Sequence, residues 1–166
     1  MTEITDWSKG SEVLHGTLVS VAGTGVLIVG EAGSGKSDCA LALLHNGDRL
    51  VADDVVAVET RNGDLFGRAP DRLAGLLAVA GLGIIDIREV FCPAAYQSEI
   101  KIDVCVELAG EEPADPLQGE YLTDICGIST STFRVPNSRS RPLAQIILTL
   151  IRLVEPKTRS VLEQRP

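Results

Sequence analysis

The sequence predicts an α/β domain, a mixed sheet with flanking helices in which hairpin-linked antiparallel strands lie beside a strand–loop–helix core. Three observations predict it. An apolar run, GVLIVG, leads directly into GEAGSGKS and then into a helical pattern, SDCALALLHNG. The turn signals AGTG and NG each separate β-type segments. The chain of 166 residues is 45% hydrophobic and 23% charged, which suits one globular domain with a well-buried core. No internal repeat or low-complexity linker divides it. Residues 1–166 therefore read as a single domain, with its core from about residue 12 to residue 154.

The elements follow in order. SEVLHGTLVSV reads as a strand, and AGTG returns the chain into GVLIVG, a short apolar strand. The helix after the glycine-rich loop carries apolar Ala40, Leu41, Leu43 and Leu44, and Gly47 is a plausible terminator. RLVADDVVAVET is a strand interrupted by two carboxylates, and RNGD places an Asn-Gly turn between Arg61 and Asp64. GLLAVAGLGIIDIREVF contains Gly75, Gly81 and Gly83, and reads as a turn or short helix feeding a strand from Ile84. KIDVCVELA alternates apolar and polar residues as a half-exposed strand does. AGEEPADPLQGE is an acidic surface loop, and LAQIILTLIRLV is a helix from about Leu143 to Val154.

Composition narrows the function classes. The net charge is −8, and Arg134, Arg139 and Arg141 form only a local basic cluster, so nucleic acid is not an expected partner. Cys39, Cys92, Cys105 and Cys126 are widely spaced with no C-x-x-C pair, and the chain has 2 His. That argues against a zinc site or a disulfide framework and for reduced thiols in or near the core. MTEITDWSKG lacks the basic-then-apolar pattern of a signal peptide, and no apolar run reaches the roughly 18 residues of a membrane span. A soluble, cytoplasmic protein with no membrane partner is expected.

The strongest local signal is G-x-x-x-x-G-K-S at residues 30–37. Gly30, Gly33 and Gly35 permit backbone conformations that turn N–H groups inward around an anion. Glu31, Ala32, Ser34 and Asp38 complete the loop and its exit. Lys36 supplies a charge for β/γ-phosphates, the Ser37 hydroxyl suits Mg²⁺, and the helix that begins there adds the positive end of its dipole. ATP with Mg²⁺ is the ligand expected.

Asp53 and Asp54 stand on the strand after the loop's helix, where an acidic metal-holding residue is common in phosphate-loop enzymes. Neighbours on a strand point to opposite faces, so the two carboxylates diverge unless the strand breaks. His15 lies in LHG, on the strand before the loop.

Read together, LHGTLVSVAGTGVLIVGEAGSGKSDCALALLHNGDRLVADDVV resembles the nucleotide-binding core of the bacterial HPr kinase/phosphorylase family. The resemblance continues through GLGIID at residues 81–86 and ends near RSRPLAQII, covering roughly residues 12–150. It implies a P-loop kinase domain akin to the nucleotide-binding domain of phosphoenolpyruvate carboxykinase. It also implies phosphorylation of a serine on HPr, a phosphocarrier of the sugar phosphotransferase system, in many members with removal of that phosphate by inorganic phosphate. Assembly as a hexamer follows from the same resemblance. Longer members carry an additional N-terminal domain; the short form is expected of an alphaproteobacterial relative. By position, Asp54 matches the carboxylate that exchanges the serine proton, Asp53 and Ser37 lie near the metal, and His15 tunes Asp54. Lys36 and Arg141 are expected to stabilise the transferred phosphoryl group.

The sequence departs from the family pattern at four places. Asp38 follows the loop serine where relatives have Glu, and Asp48 replaces a His. The second signature, roughly L-E-[IV]-R-G-[IL]-G in relatives, reads LAVAGLG here, with Ala78 and Ala80 in place of Glu and Arg. Neither alanine can bind Mg²⁺ or stabilise phosphoryl charge. Beside the HPr kinase reading stand two others: an ATP-binding regulatory module with weakened catalysis, and a P-loop kinase for another small substrate.

Overall fold

The computed structural model describes residues 11–109, 120–136 and 142–154. The acidic loop expected at residues 109–120 falls mostly outside them. The predicted first strand is two strands, β1 (Ser11–His15) and β2 (Thr17–Val21), separated by a sharp bend at Gly16. A Cβ on Gly16 would sit 2.9 Å from the Ile28 carbonyl oxygen, so the bend needs glycine. β2 turns through Ala22 and Gly23, both at positive φ, into β3 (Thr24–Val29). Two successive left-handed residues make the turn type whose twist matches an antiparallel pair.

Helix α1 (Lys36–His45) ends where Gly47 enters the left-handed region. There Gly47 N–H donates to the Leu44 carbonyl and Asp48 N–H to that of Leu43, a Schellman closure. β4 (Arg49–Ala52) and β5 (Val55–Arg61) follow, broken at Asp53 and Asp54 as the sequence suggests. Asn62 and Gly63, again both left-handed, close the hairpin from β5 to β6 (Asp64–Arg68).

In the glycine-rich middle the strand expected from Ile84 is present, but a further strand stands before it where a turn or short helix was expected. The two form a hairpin, β7 (Leu76–Val79) with β8 (Gly83–Asp86), before a four-residue helix α2 (Ile87–Val90). Leu77 and Val79 alternate into the core while Ala78 and Ala80 face out, a period-2 pattern masked by the alanines. The Arg88 guanidinium anchors the hairpin's base by donating to both Asp86 carboxylate oxygens and to the Ala74 carbonyl. That contact holds the Asp86 carboxyl below its ordinary range.

β9 (Ile100–Ala109) is the expected KIDVCVELA strand, but it is half-exposed only at its start. It pairs in parallel with β3 at one edge and β11 (Ile128–Pro136) at the other, and from Val104 to Val106 both faces are buried, Val104 and Val106 in the core under the helices and Cys105 in the core on the opposite face. β11 forms a hairpin with β10 (Glu120–Ile125), and α3 spans Leu143–Val154 as predicted.

Nine strands form one mixed sheet, ordered β1-β5-β6-β9-β3-β2-β4, with β11 on β9 and β10 on β11. The bends at Gly16 and at Asp53–Asp54 lie on adjoining strands, since β1 pairs with β5 and β2 with β4. The sheet therefore folds over at a corner. Inside the fold lies a core of Leu18, Leu27, Val56, Val58, Ile102 and Cys105. The other face carries Val26, Ile28, Val104 and Val106 beneath Leu43 of α1 and Ile147 of α3. Cys39 and Cys105 are both buried, and burial pushes their thiols up to about 12 and about 11. Among the described residues no helix is long and apolar enough to cross a membrane.

β3 approaches β9 most closely at Gly25, where an added Cβ would lie 1.8 Å from the Lys101 carbonyl oxygen. Backbone cannot yield as a flexible side chain does. Gly25→Ala is expected to cost about 3 kcal/mol or more, read as a lowered midpoint in urea denaturation, with loss of soluble folded protein as the extreme outcome.

Candidate active site

The site is assembled at the ends of β2, β3 and β4. β3 delivers Gly30, where a Cβ would meet Ser34 Oγ at 2.8 Å and Leu108 Cβ at 3.1 Å. The loop then passes Glu31 and Ala32, both exposed, and takes positive φ at Gly33 (77°) and Gly35 (95°) before α1 begins. Ser34 N–H closes a turn on the Glu31 carbonyl at 3.0 Å, and the loop leads into the N-terminus of α1, where free backbone N–H groups favour an anion. Asp38, exposed in the first helical turn, lies at the favourable end of the helix dipole.

Lys36 folds back over this loop. Its ammonium donates to the carbonyls of Gly30 (2.8 Å) and Glu31 (2.9 Å) and to Ser34 Oγ (3.3 Å). The cation is thus held at the mouth of the cradle by the loop's own acceptors.

Asp53 and Asp54 part company at the strand break. Asp54 adopts φ 66°, a left-handed conformation that an Asp tolerates better than most residues. The strand bends there without reversing, since β4 stays antiparallel to β2 and β5 to β1, and Asp53 turns inward while Asp54 turns out. Asp53 is 5% exposed and is surrounded by donors. Thr17 Oγ1 donates to Oδ1 at 2.9 Å, and Ser37 Oγ reaches Oδ1 at 2.9 Å and Oδ2 at 3.0 Å. The Ala78 N–H donates to Oδ2 at 3.3 Å. A buried carboxylate is tolerated only with such partners.

Asp54 stands on the solvent side. Its Oδ1 is 4.0 Å from His15 Nδ1, with the two side chains 78% and 87% exposed. Sheet pairing brings them together: His15 lies opposite Val55 in the β1–β5 register, and Gly16 N–H donates to the Asp54 carbonyl. Such an exposed pair is well placed to exchange protons with a docked group and contributes little to folding.

Of the residues singled out from sequence, Lys36 joins Gly30, Glu31 and Ser34, and Asp53 joins Ser37, the two groups meeting where Lys36 and Ser37 adjoin at the start of α1; Ala32, Gly33, Gly35 and Asp38 complete the loop, and His15 with Asp54 stands outside it. Arg141 lies outside the described residues. Two contributors went unread: the Thr17 hydroxyl and the Ala78 N–H. A Thr in a strand looks like any β-former. Only the pairing of Leu18 with Ala52 reveals that Thr17 lies opposite Asp53. Ala78 offers no side-chain signal at all, since its contribution is backbone.

The sequence pattern of the family described as HPr Serine kinase C-terminal domain matches residues 8–164. The HPr kinase/phosphorylase of Clostridium perfringens is 39% identical over 139 residues, covering 81% of this chain and 45% of that protein. That of Cupriavidus necator is 37% identical over 144 residues, covering 84% of this chain and 44% of that protein. This chain thus spans less than half the length of these curated relatives. Among solved structures, the Hpr(Ser) kinase/phosphatase of Coxiella burnetii superposes with a TM-score of 0.81 at 32% identity, covering 92% of this chain and 93% of that one.

The exposure of Asp54 and His15 separates function from stability. Asp54→Asn and His15→Ala are expected to keep the denaturation free energy within about 0.5 kcal/mol of the parent. Asp54→Ala, which forces a Cβ residue without a polar side chain into the left-handed region, is expected to lose about 1 kcal/mol in the same measurement.

Proposed function

This chain belongs to the HPr serine kinase C-terminal domain family, and on that footing we propose that it is an ATP-dependent protein-serine kinase acting on an HPr-like phosphocarrier. The single observation that carries the proposal is the break at residues 53–54, which turns one carboxylate into the phosphate loop and the other out beside His15. A phosphate cradle alone serves many reactions. A cradle with an exposed carboxylate–histidine pair at its rim suits transfer to a hydroxyl.

The residues present fit a nucleotide and a divalent cation. The left-handed Gly33 and Gly35, the Lys36 ammonium and the α1 N-terminus form an anion cradle. Asp38 and the rest of the loop from Gly30 border it. Ser37 and Asp53 would hold Mg²⁺, a hard cation commonly bound by one or two protein oxygens together with phosphates. When bound, that cation neutralises phosphate charge. The bond from the Ser37 hydroxyl to Asp53 fixes its hydrogen inward and leaves its lone pairs facing the cradle.

Asp54 then takes the proton from the substrate serine hydroxyl as the serine oxygen forms its bond to the γ-phosphorus. The bond from that phosphorus to the ADP oxygen breaks, and the proton remains on Asp54. In dephosphorylation an oxygen of inorganic phosphate forms a bond to the phosphoserine phosphorus, the bond from that phosphorus to the serine oxygen breaks as Asp54 gives that oxygen its proton, and pyrophosphate leaves. His15 tunes Asp54 through the intervening 4.0 Å contact. Arg141 is assigned the transferred phosphoryl group on resemblance. The proposal takes residues 1–166 as one catalytic domain of a cytoplasmic homo-oligomer, a hexamer by the same resemblance.

One observation favours a second reading, an ATP-binding regulatory module with weak turnover. Ala78, on the outward side of β7, and Ala80, in the turn after it, are both exposed, and the Ala78 N–H is bonded to Asp53 itself. Side chains at these positions would border the site, and here they carry no charge.

Phosphoserine formation on HPr, measured with ATP and Mg²⁺, tests the proposal. The parent protein is expected to transfer; binding of ATP without transfer would remove the kinase reading in favour of the regulatory one. Lys36→Ala is expected to weaken ATP binding in calorimetry and abolish transfer. Asp54→Asn is expected to bind ATP normally while transfer slows about 10²–10⁴-fold, the usual contribution of a general base. Ala78→Glu with Ala80→Arg is expected to raise turnover if their absence limits the site.

A further inference from the structure

Thr17 has no part in the roles assigned so far, yet its hydroxyl is wholly buried and donates to Asp53 Oδ1 at 2.9 Å. We propose that Thr17 is a positioning residue for the divalent cation: it locks the Asp53 carboxylate in the orientation that aims the Ser37 hydroxyl at the phosphate cradle. The inference rests on the reading of Ser37 and Asp53 as cation ligands.

The geometry carries it in three steps. First, the Asp53 carboxylate is held at both oxygens, by Thr17 on Oδ1 and by the Ala78 N–H on Oδ2. Two donors on different oxygens, from different strands, fix the plane of a carboxylate against rotation. Second, the Ser37 hydroxyl lies 2.9 and 3.0 Å from those same two oxygens, so that plane decides where the serine hydrogen points. Third, Thr17 is itself immobile. It sits directly after the bend at Gly16, at the head of a strand that is buried throughout and paired on both edges by β3 and β4. The other side chain able to turn Asp53 is Ser37, the group being aimed. Ala78 contributes a longer bond of 3.3 Å and lies on a separate two-stranded sheet.

Valine is nearly isosteric with threonine and retains its β-strand preference, so Thr17→Val removes the donor while keeping the shape. The bond from Ser37 to Asp53 remains in that variant, but the carboxylate is then pinned at one oxygen. Cation binding should suffer and metal-free nucleotide binding should not, because the loop, Lys36 and the α1 N-terminus are untouched. Partners that orient metal ligands from outside the coordination sphere typically matter by about 10–100-fold in metal affinity.

The experiment measures binding of ADP by calorimetry without metal and across a Mn²⁺ titration, for the parent, Thr17→Val and Thr17→Ser. The expected result is unchanged metal-free ADP affinity in all three. The Mn²⁺ concentration at half-saturation should rise at least tenfold in Thr17→Val and return to within about threefold of the parent in Thr17→Ser. If Thr17→Val does not fold, Thr17→Ala and Thr17→Cys, each lacking the hydroxyl donor, are read in its place. A half-saturation point unchanged or lowered by removal of the hydroxyl overturns the proposal. So does a loss of metal-free ADP binding equal to the loss in Mn²⁺, which indicates a merely structural residue. Because neither readout involves HPr, failure of the kinase proposal, seen as absent phosphoserine, is distinct from failure of this one.

Discussion

The Asp53 carboxylate is the constraint on which the rest of this structure turns. It is a charge placed in the interior of a small domain, and such a group is stable only where donors are already waiting. Those donors come from distant parts of the chain: Thr17 at the head of β2, Ser37 at the first turn of α1, and the Ala78 amide on β7. Satisfying one side chain therefore ties together the strand before the phosphate loop, the helix after it and the separate hairpin β7–β8. The loop's own glycines shape the cradle, but Asp53 fixes where the cradle stands relative to the sheet.

The neighbouring residue has the opposite character. Asp54 gains almost nothing from burial, and its left-handed backbone is a strain that folding energy elsewhere must offset. Two adjacent aspartates thus divide the work: one organises and is buried, the other meets solvent and whatever docks there. The alternation of a regular strand would also have sent them to opposite faces, but without the bend that brings Asp54 next to His15. Ala78 and Ala80 are both exposed, and Ala78 reaches Asp53 through its backbone N–H.

Much of this was legible in the sequence where local chemistry is sufficient. Ala22–Gly23 and Asn62–Gly63 demand left-handed turns, Gly47 closes its helix, and the glycine-rich loop between an apolar strand and a helix has few other uses. The reading failed where structure depends on partners far along the chain. KIDVCVELA alternates at its start and looks half-exposed, but β3 and β11 make it a central strand. The hairpin of β10 and β11 turns at Cys126 and Gly127, with Cys126 left-handed at φ 51°, a residue type that gives no turn signal. LLAVAG conceals its alternation because alanine is neutral between faces. Thr17 is invisible for a related reason: its function exists only through the register between β2 and β4.

The corner at Gly16 and Asp53–Asp54 has a consequence for dynamics. Many sites of phosphate chemistry ride on mobile loops, whose local opening costs far less than global unfolding. Here His15 and Asp54 are the last residues before two strands bend in register, and the Gly16 amide hydrogen bond staples the bend. Parting them means prising apart sheet strands that also enclose the inner core. The Gly16 amide should therefore be counted with the slowest-exchanging protons of the protein, and the His15–Asp54 pair inherits the permanence of the core beneath it.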